Sequence, residues 1–139
     1  MTLHFLLDTN IISEPLRPAP HPVVLEKLRL NQDQLAISAI TWHELWFGCQ
    51  RLPASARRTA IEIYLHQVVA PAIPILPYDE RAAAWHAAER ARLVTLGHTP
   101  PFADGQIVSI AHRYELILVT FNTTDYMSFQ EVRLDDWRI

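Results

Sequence analysis

Glycine is scarce in this chain of 139 residues, which has only Gly48, Gly97 and Gly105. No glycine-rich loop is therefore available to cradle a phosphate, which excludes P-loop and dinucleotide-binding chemistry. A single cysteine, Cys49, forbids an internal disulfide and fits a reducing compartment. Lys27 is the only lysine among twelve basic residues, and fifteen acidic residues leave a net charge of −3. Bulk electrostatics thus advertise no nucleic acid. No apolar run approaches the roughly 18–20 residues of a bilayer span. Asp8 interrupts the first apolar stretch too early for a secretory signal. A cytoplasmic protein without membrane attachment is expected. The seven histidines show no convincing metal-ligand spacing, and no Ser or Cys nucleophile motif is present.

What remains is ordinary globular material. Half the residues are hydrophobic, 19% are charged and the mean hydropathy is +0.04, too apolar for a disordered chain. Residues 3–7 form an apolar run that stops at Asp8 and reads as a buried parallel strand. A short helix or turn over 9–15 and a proline-rich connector follow, then a helix ending at Asn31. Residues 35–38 read as a second strand. Thr41 to Glu44 open a helix with Leu45, Trp46 and Phe47 on its apolar face. A longer helix starts at Pro53-Ala54-Ser55 and runs through Val69. Residues 73–76, bracketed by prolines, suit an edge strand. The spacing predicts a helix over 79–96, stopped by Gly97 as a C-terminal cap. Another helix is expected over 103–114, a fourth strand over 116–120 and a fifth over 132–134.

Strands alternating with helices specify one α/β domain, residues 1–139, with a central, mostly parallel sheet of four to five strands flanked by helices. Ligands of such sheets bind beyond the carboxyl ends of the strands. That rule singles out four acids. Asp8 ends the first strand, Glu44 lies in the helix after the second, Asp104 opens the helix before the fourth, and Asp125 follows the fourth. Crowded carboxylates raise each other's pKa unless a cation neutralises them. Oxygen-only ligands suit Mg²⁺ or Mn²⁺.

Each acid also has a plainer use. Asp8 can cap the next helix. Thr41-x-x-Glu44 is a capping box in which Glu44 reaches back to the Thr41 amide. Asp104 complements a helix dipole, and Asn122 to Asp125 can form a polar turn. Only the coincidence of strand-end positions favours a site. A phosphatase with an aspartyl nucleophile would carry a second Asp where Asn10 stands. A phosphoacceptor receiver domain would need a late lysine that this chain lacks.

Four segments in order carry a more specific likeness. They are Leu6-Leu7-Asp8-Thr9-Asn10-Ile11-Ile12-Ser13-Glu14, Ile37 to Leu45 running on to Gly48, Ala103-Asp104-Gly105-Gln106-Ile107 with Ile110-Ala111, and Leu118 to Tyr126. The chain resembles a PIN-domain ribonuclease of the VapC toxin type, including its FitB-like subgroup, over nearly its whole length. The resemblance implies an endoribonuclease toxin dependent on Mg²⁺ or Mn²⁺ that hydrolyses RNA phosphodiester bonds. Asp8, Glu44, Asp104 and Asp125 take the catalytic positions, with Asp8, Asp104 and Asp125 holding the ion. Asn10, Thr41, Asn122 and Thr123 take supporting positions.

The implied partners are an RNA substrate, a VapB- or FitA-like antitoxin and a second copy of the chain, with DNA met only through the antitoxin. An antitoxin arginine placed among Asp8, Glu44 and Asp104 would silence the site. The alternative is a PIN-like binding module without nuclease activity, working with an antitoxin on operator DNA. Phe121 and Tyr126 depart from the pattern, where a basic or polar residue and Phe are usual, and neither is expected to touch the acids. Glu14 is read as a surface or supporting residue. Arg and Trp side chains near the mouth are candidates for gripping RNA.

Overall fold

Short strands, the central ones buried on both faces, build the fold. Phe5–Leu7 form β1, Leu35–Ser38 β2, Ile75–Leu76 β3, Ile117–Val119 β4 and Leu134–Asp135 β5. In the computed structural model, which describes residues 2–139, the sheet order is β3-β2-β1-β4-β5 and every pairing is parallel. Successive side chains of a strand point to opposite faces. Leu6, Ala36 and Leu118 enter one core, while Leu7, Ile37 and Val119 enter the other. Leu6 and Leu7 are both fully buried, each contributing about 1.5–3 kcal/mol. With apolar layers on both faces, β1 reads as an uninterrupted hydrophobic run.

The helices are α1 (Thr9–Ile12), α2 (Pro22–Leu30), α3 (Ala39–Gln50), α4 (Ala56–Ile63), α5 (Ala70–Ala72), α6 (Glu80–Thr95), α7 (Phe102–Arg113) and α8 (Thr123–Tyr126). Residues from α6 and α7 build the core on one face of the sheet, and residues from α1, α2 and α3 the other. The long helix expected from 53 to 69 is divided. Ser55 caps α4, and Tyr64–Val69 widen into a π-helical stretch before α5. Within it the Tyr64 hydroxyl donates to the Ile12 carbonyl at 2.7 Å. This bond ties the segment to α1.

Caps set the helix starts. The capping-box reading of Thr41 is corrected: α3 begins two residues earlier, and the Ser38 hydroxyl accepts from the Thr41 amide at 2.9 Å. Asp79 caps α6 through the Ala82 amide at 2.9 Å. At its other end Gly97 takes φ +78. The His98 amide bonds Leu93 O at 2.8 Å and the Gly97 amide bonds Val94 O at 2.9 Å, the paired closure of a Schellman motif. Glu14 is buried rather than on the surface. It accepts from Arg17 Nη1 at 2.9 Å and from the His21 amide at 3.2 Å.

The sheet order reverses at β1. The chain leaves β1 for β2 and β3 on one side and returns to β4 on the other. In parallel α/β sheets that switch point opens a crevice at the carboxyl ends of the strands.

Candidate active site

Asp8 stands at the carboxyl end of β1, in the crevice beside β4, and is 6% exposed. Burying a carboxylate is costly unless donors meet it, and three do. The Thr9 amide donates to Oδ1 at 2.9 Å. The Thr120 hydroxyl donates to Oδ2 at 2.9 Å, and the Tyr126 hydroxyl donates to the same oxygen at 3.0 Å. Asp8 is therefore the N-cap of α1 and a wall of the crevice at once; the two uses do not compete.

Glu44 approaches from α3. Because Ser38 provides the cap, its carboxylate is free of the helix terminus and instead accepts from the Thr9 hydroxyl at 2.7 Å. Thr41 is buried beneath, its Oγ1 3.4 Å from Thr9 Oγ1. Asp104 projects from the first turn of α7 and Asp125 from α8. A cavity of about 400 Å³ joins them, lined by Asp8, Glu44, Asp104 and Asp125 with Thr9, Asn10, Ser13, Ile107, Asn122 and Tyr126. Four separate segments thus deliver carboxylates to one depression. Asn10 Oδ1 accepts from the Phe121 amide at 3.4 Å, and the Asn122 amide donates to Thr120 Oγ1 at 3.0 Å. Thr123 opens α8 outside the cavity lining.

The electrostatics are those of like charges held together. Burial first, and then the charges of Asp8, Asp125 and Glu44, together raise the Asp104 pKa from the usual 3.8 to about 6. Tyr126 is also raised, first by burial and then by Asp8 and Asp104, so its hydroxyl stays a proton donor at all ordinary pH. Among the described residues no three His, Cys, Asp or Glu side chains converge into a ready-made metal cage. The donor set of carboxylates and side-chain oxygens nevertheless fits Mg²⁺ or Mn²⁺, since Mg²⁺ usually takes one or two carboxylates and keeps several waters.

The expectation that Tyr126 touches no acid is overturned by its bond to Asp8. Phe121 lies under the Arg138 guanidinium, 4.4 Å from the ring centroid, so a cation covers the position where an apolar residue replaces a polar one. None of the four tryptophans lines the cavity. Trp42 and Trp46 pack edge to face on α3, Trp85 stacks on His112, and Trp137 is core. Thr9, Thr120 and Tyr126 are the participants missed by sequence reasoning. Only their places inside the first and fourth segments pointed to them.

Two further features shape the surroundings. A groove of about 750 Å³ continues from the acid cavity, sharing Thr9, Ser13 and Glu44, and is edged by Arg17, Arg51 and Arg57 over a floor that includes Leu45 and Ile61. Behind Asp104, Gly105 packs on His86. A Cβ at residue 105 would fall 2.0 Å from His86 Nε2, and His86 Nδ1 is held by the Tyr78 hydroxyl at 2.8 Å.

Comparison with known proteins agrees with this arrangement. The PIN domain family model matches residues 5–132. Toxin FitB of Neisseria gonorrhoeae is 35% identical over 135 residues, covering 95% of this chain and 97% of that protein. The tRNA(fMet)-specific endonuclease VapC of Shigella flexneri is 33% identical over 136 residues, covering 97% and 98%. Among solved structures, FitAcB from Neisseria gonorrhoeae superposes with a TM-score of 0.86 at 34% identity, over 96% of this chain and 97% of that one. DNA-bound VapBC from Salmonella typhimurium superposes with a TM-score of 0.82 at 29% identity, over 97% and 98%. With a family match spanning nearly the whole sheet and relatives aligned end to end, this chain belongs to the PIN-domain family.

Proposed function

We propose that this chain is an endoribonuclease dependent on Mg²⁺ or Mn²⁺ and the toxin half of a toxin–antitoxin pair. The observation that carries the reading is the convergence of Asp8, Glu44, Asp104 and Asp125 on one cavity, with Asp104 raised to about 6 by burial and by the other three. Repelling carboxylates kept together at the switch point of a parallel sheet are a cost to folding that a bound cation relieves. Asp8, Asp104 and Asp125 would hold it. Bound there, the ion supplies positive charge against a phosphate oxygen and makes water a better nucleophile.

The protein's own groups do the rest. Asp8 is fixed by three donors, so the reaction centre has a rigid wall. Glu44, oriented by the Thr9 hydroxyl, takes the proton of the attacking water. The water oxygen joins phosphorus, a bridging P–O bond breaks, and the departing oxygen takes a proton from solvent water, which the proton held by Glu44 then replaces. Arg51 and Arg57 along the adjoining groove supply phosphate contacts at the approach; Arg17 is less free, being paired with Glu14. These cations offset a net charge of −3 locally.

The relatives guide the choice of substrate and partner. One is named as an endonuclease specific for tRNA(fMet), so tRNA is the first RNA to assay. Structures of the relatives FitAcB and DNA-bound VapBC support a partner protein and, through it, operator DNA. A partner's arginine set among Asp8, Glu44 and Asp104 would replace the cation's charge and silence the site. Exposed Phe47 beside half-buried Trp42 and Trp46 on α3 supports a second copy as a further partner. No helix among the described residues is long and apolar enough to cross a membrane. Incubating the purified chain with tRNA, with and without EDTA, tests the reading: cleavage that EDTA stops and Mn²⁺ restores supports it. A folded chain that binds a partner yet never cleaves would make it a binding module instead.

A further inference from the structure

Asp8 carries its hydrogen bonds unevenly. Oδ2 accepts two hydroxyls, from Thr120 and Tyr126, whereas Oδ1 accepts one backbone amide. A carboxylate oxygen offers two lone pairs, so Oδ2 is filled by protein and the spare acceptor capacity belongs to Oδ1. The two hydroxyls come from different places. Thr120 follows β4 and is itself pinned by the Asn122 amide at 3.0 Å. Tyr126 ends α8, the helix that carries Asp125, and is 3% exposed. Its burial keeps water from substituting for the phenol hydroxyl.

We propose that Tyr126 is a positioning residue. Its hydroxyl, together with that of Thr120, fixes the orientation of Asp8 and the distance of α8 from β1, and so sets the affinity of the acid cavity for a divalent cation. The proposal rests on the reading of that cavity as a cation-dependent nuclease centre. A hydroxyl bonded to a ligating carboxylate does more than pack. It settles which oxygen is offered and holds the carboxylate still, and partners of this kind are commonly worth about 10–100-fold in metal affinity or activity. Because one side chain bridges Asp8 and the helix of Asp125, its loss loosens two acids together.

Tyr126→Phe removes the hydroxyl and keeps the ring that fills the core beside Leu118 and Phe129. Calorimetric titration of Mn²⁺ into the full chain, without RNA, is the primary readout. Tyr126→Phe is expected to weaken Mn²⁺ binding about ten-fold, with kcat on tRNA falling at fixed Mn²⁺ and KM for RNA unchanged. Thr120→Val strips the other donor from the same oxygen and is expected to weaken Mn²⁺ binding likewise, so it carries the test if Tyr126→Phe fails to fold. A folded Tyr126→Phe protein with wild-type Mn²⁺ affinity and wild-type kcat overturns the positioning role while leaving the nuclease reading in place. Wild-type chain that takes up no Mn²⁺ and cleaves tRNA in EDTA overturns the reading itself, and this proposal with it.

Discussion

Asp104→Asn removes one of four converging charges while conserving size, and its effect on stability depends on pH. A native pKa of about 6 against the usual 3.8 means the folded chain holds this proton more tightly than the unfolded one. Ionised Asp104 therefore costs stability. The penalty is full above about pH 6 and fades as pH falls towards 3.8. At about 1.4 kcal/mol per pH unit it would reach about 3 kcal/mol. Asp104 is only half-buried, and solvent screening brings the expectation to about 1–1.5 kcal/mol.

In EDTA at pH 8 the Asn variant should melt about 3–6 °C above wild type, and the gap should shrink to a small remnant at pH 4. Adding Mn²⁺ should reverse the order, because a ligand stabilises only the native state that binds it, and Asp104→Asn lacks one of its ligands. Thermal denaturation of both proteins across pH, with and without Mn²⁺, reads all of this. A melting difference equal at pH 8 and pH 4 would refute the picture of Asp104 as a carboxylate strained by its neighbours.

Other expectations come from packing and caps. Gly105→Ala should cost about 2–3 kcal/mol in chemical denaturation, because the new methyl meets the buried, hydrogen-bonded ring of His86; cleavage should fall too as α7 shifts with Asp104. Ser38→Ala should lose about 1 kcal/mol by the same assay, since the hydroxyl satisfies the Thr41 amide at the start of α3. Light scattering should give twice the 16.0 kDa of one chain, and Phe47→Glu should reduce that mass to a single chain if the exposed ring of α3 lies in the contact.

The sheet was legible because its strands are short apolar runs ended by polar residues. Leu7-Asp8 marks a strand end by composition alone, and the order of elements then placed four acids at one end. Gly97 was equally readable, since nothing but its φ of +78 explains a glycine there. What the sequence withheld depends on contacts between distant segments. Thr41 to Glu44 has the form of a capping box, yet Ser38 at the strand end supplies the cap and frees Glu44 for Thr9. Tyr126 looks like a conservative replacement of a core ring until its hydroxyl is seen on Asp8, 118 residues away in sequence. Gly105 gives no local sign that His86 occupies the place of its side chain. The π-helical stretch at Tyr64–Val69 likewise has an amphipathic pattern that reads as an unbroken helix.

If the acid cavity cuts RNA by means of a divalent cation, tRNA cleavage by the purified chain must track that cation. Cleavage is best followed through one cycle of EDTA addition and Mn²⁺ restoration, with Asp104→Asn run alongside. It should stop in EDTA, return with Mn²⁺ and be absent throughout in the variant. Cleavage that persists in EDTA, or that Asp104→Asn retains at the wild-type rate, would contradict a cation-dependent centre built on these acids.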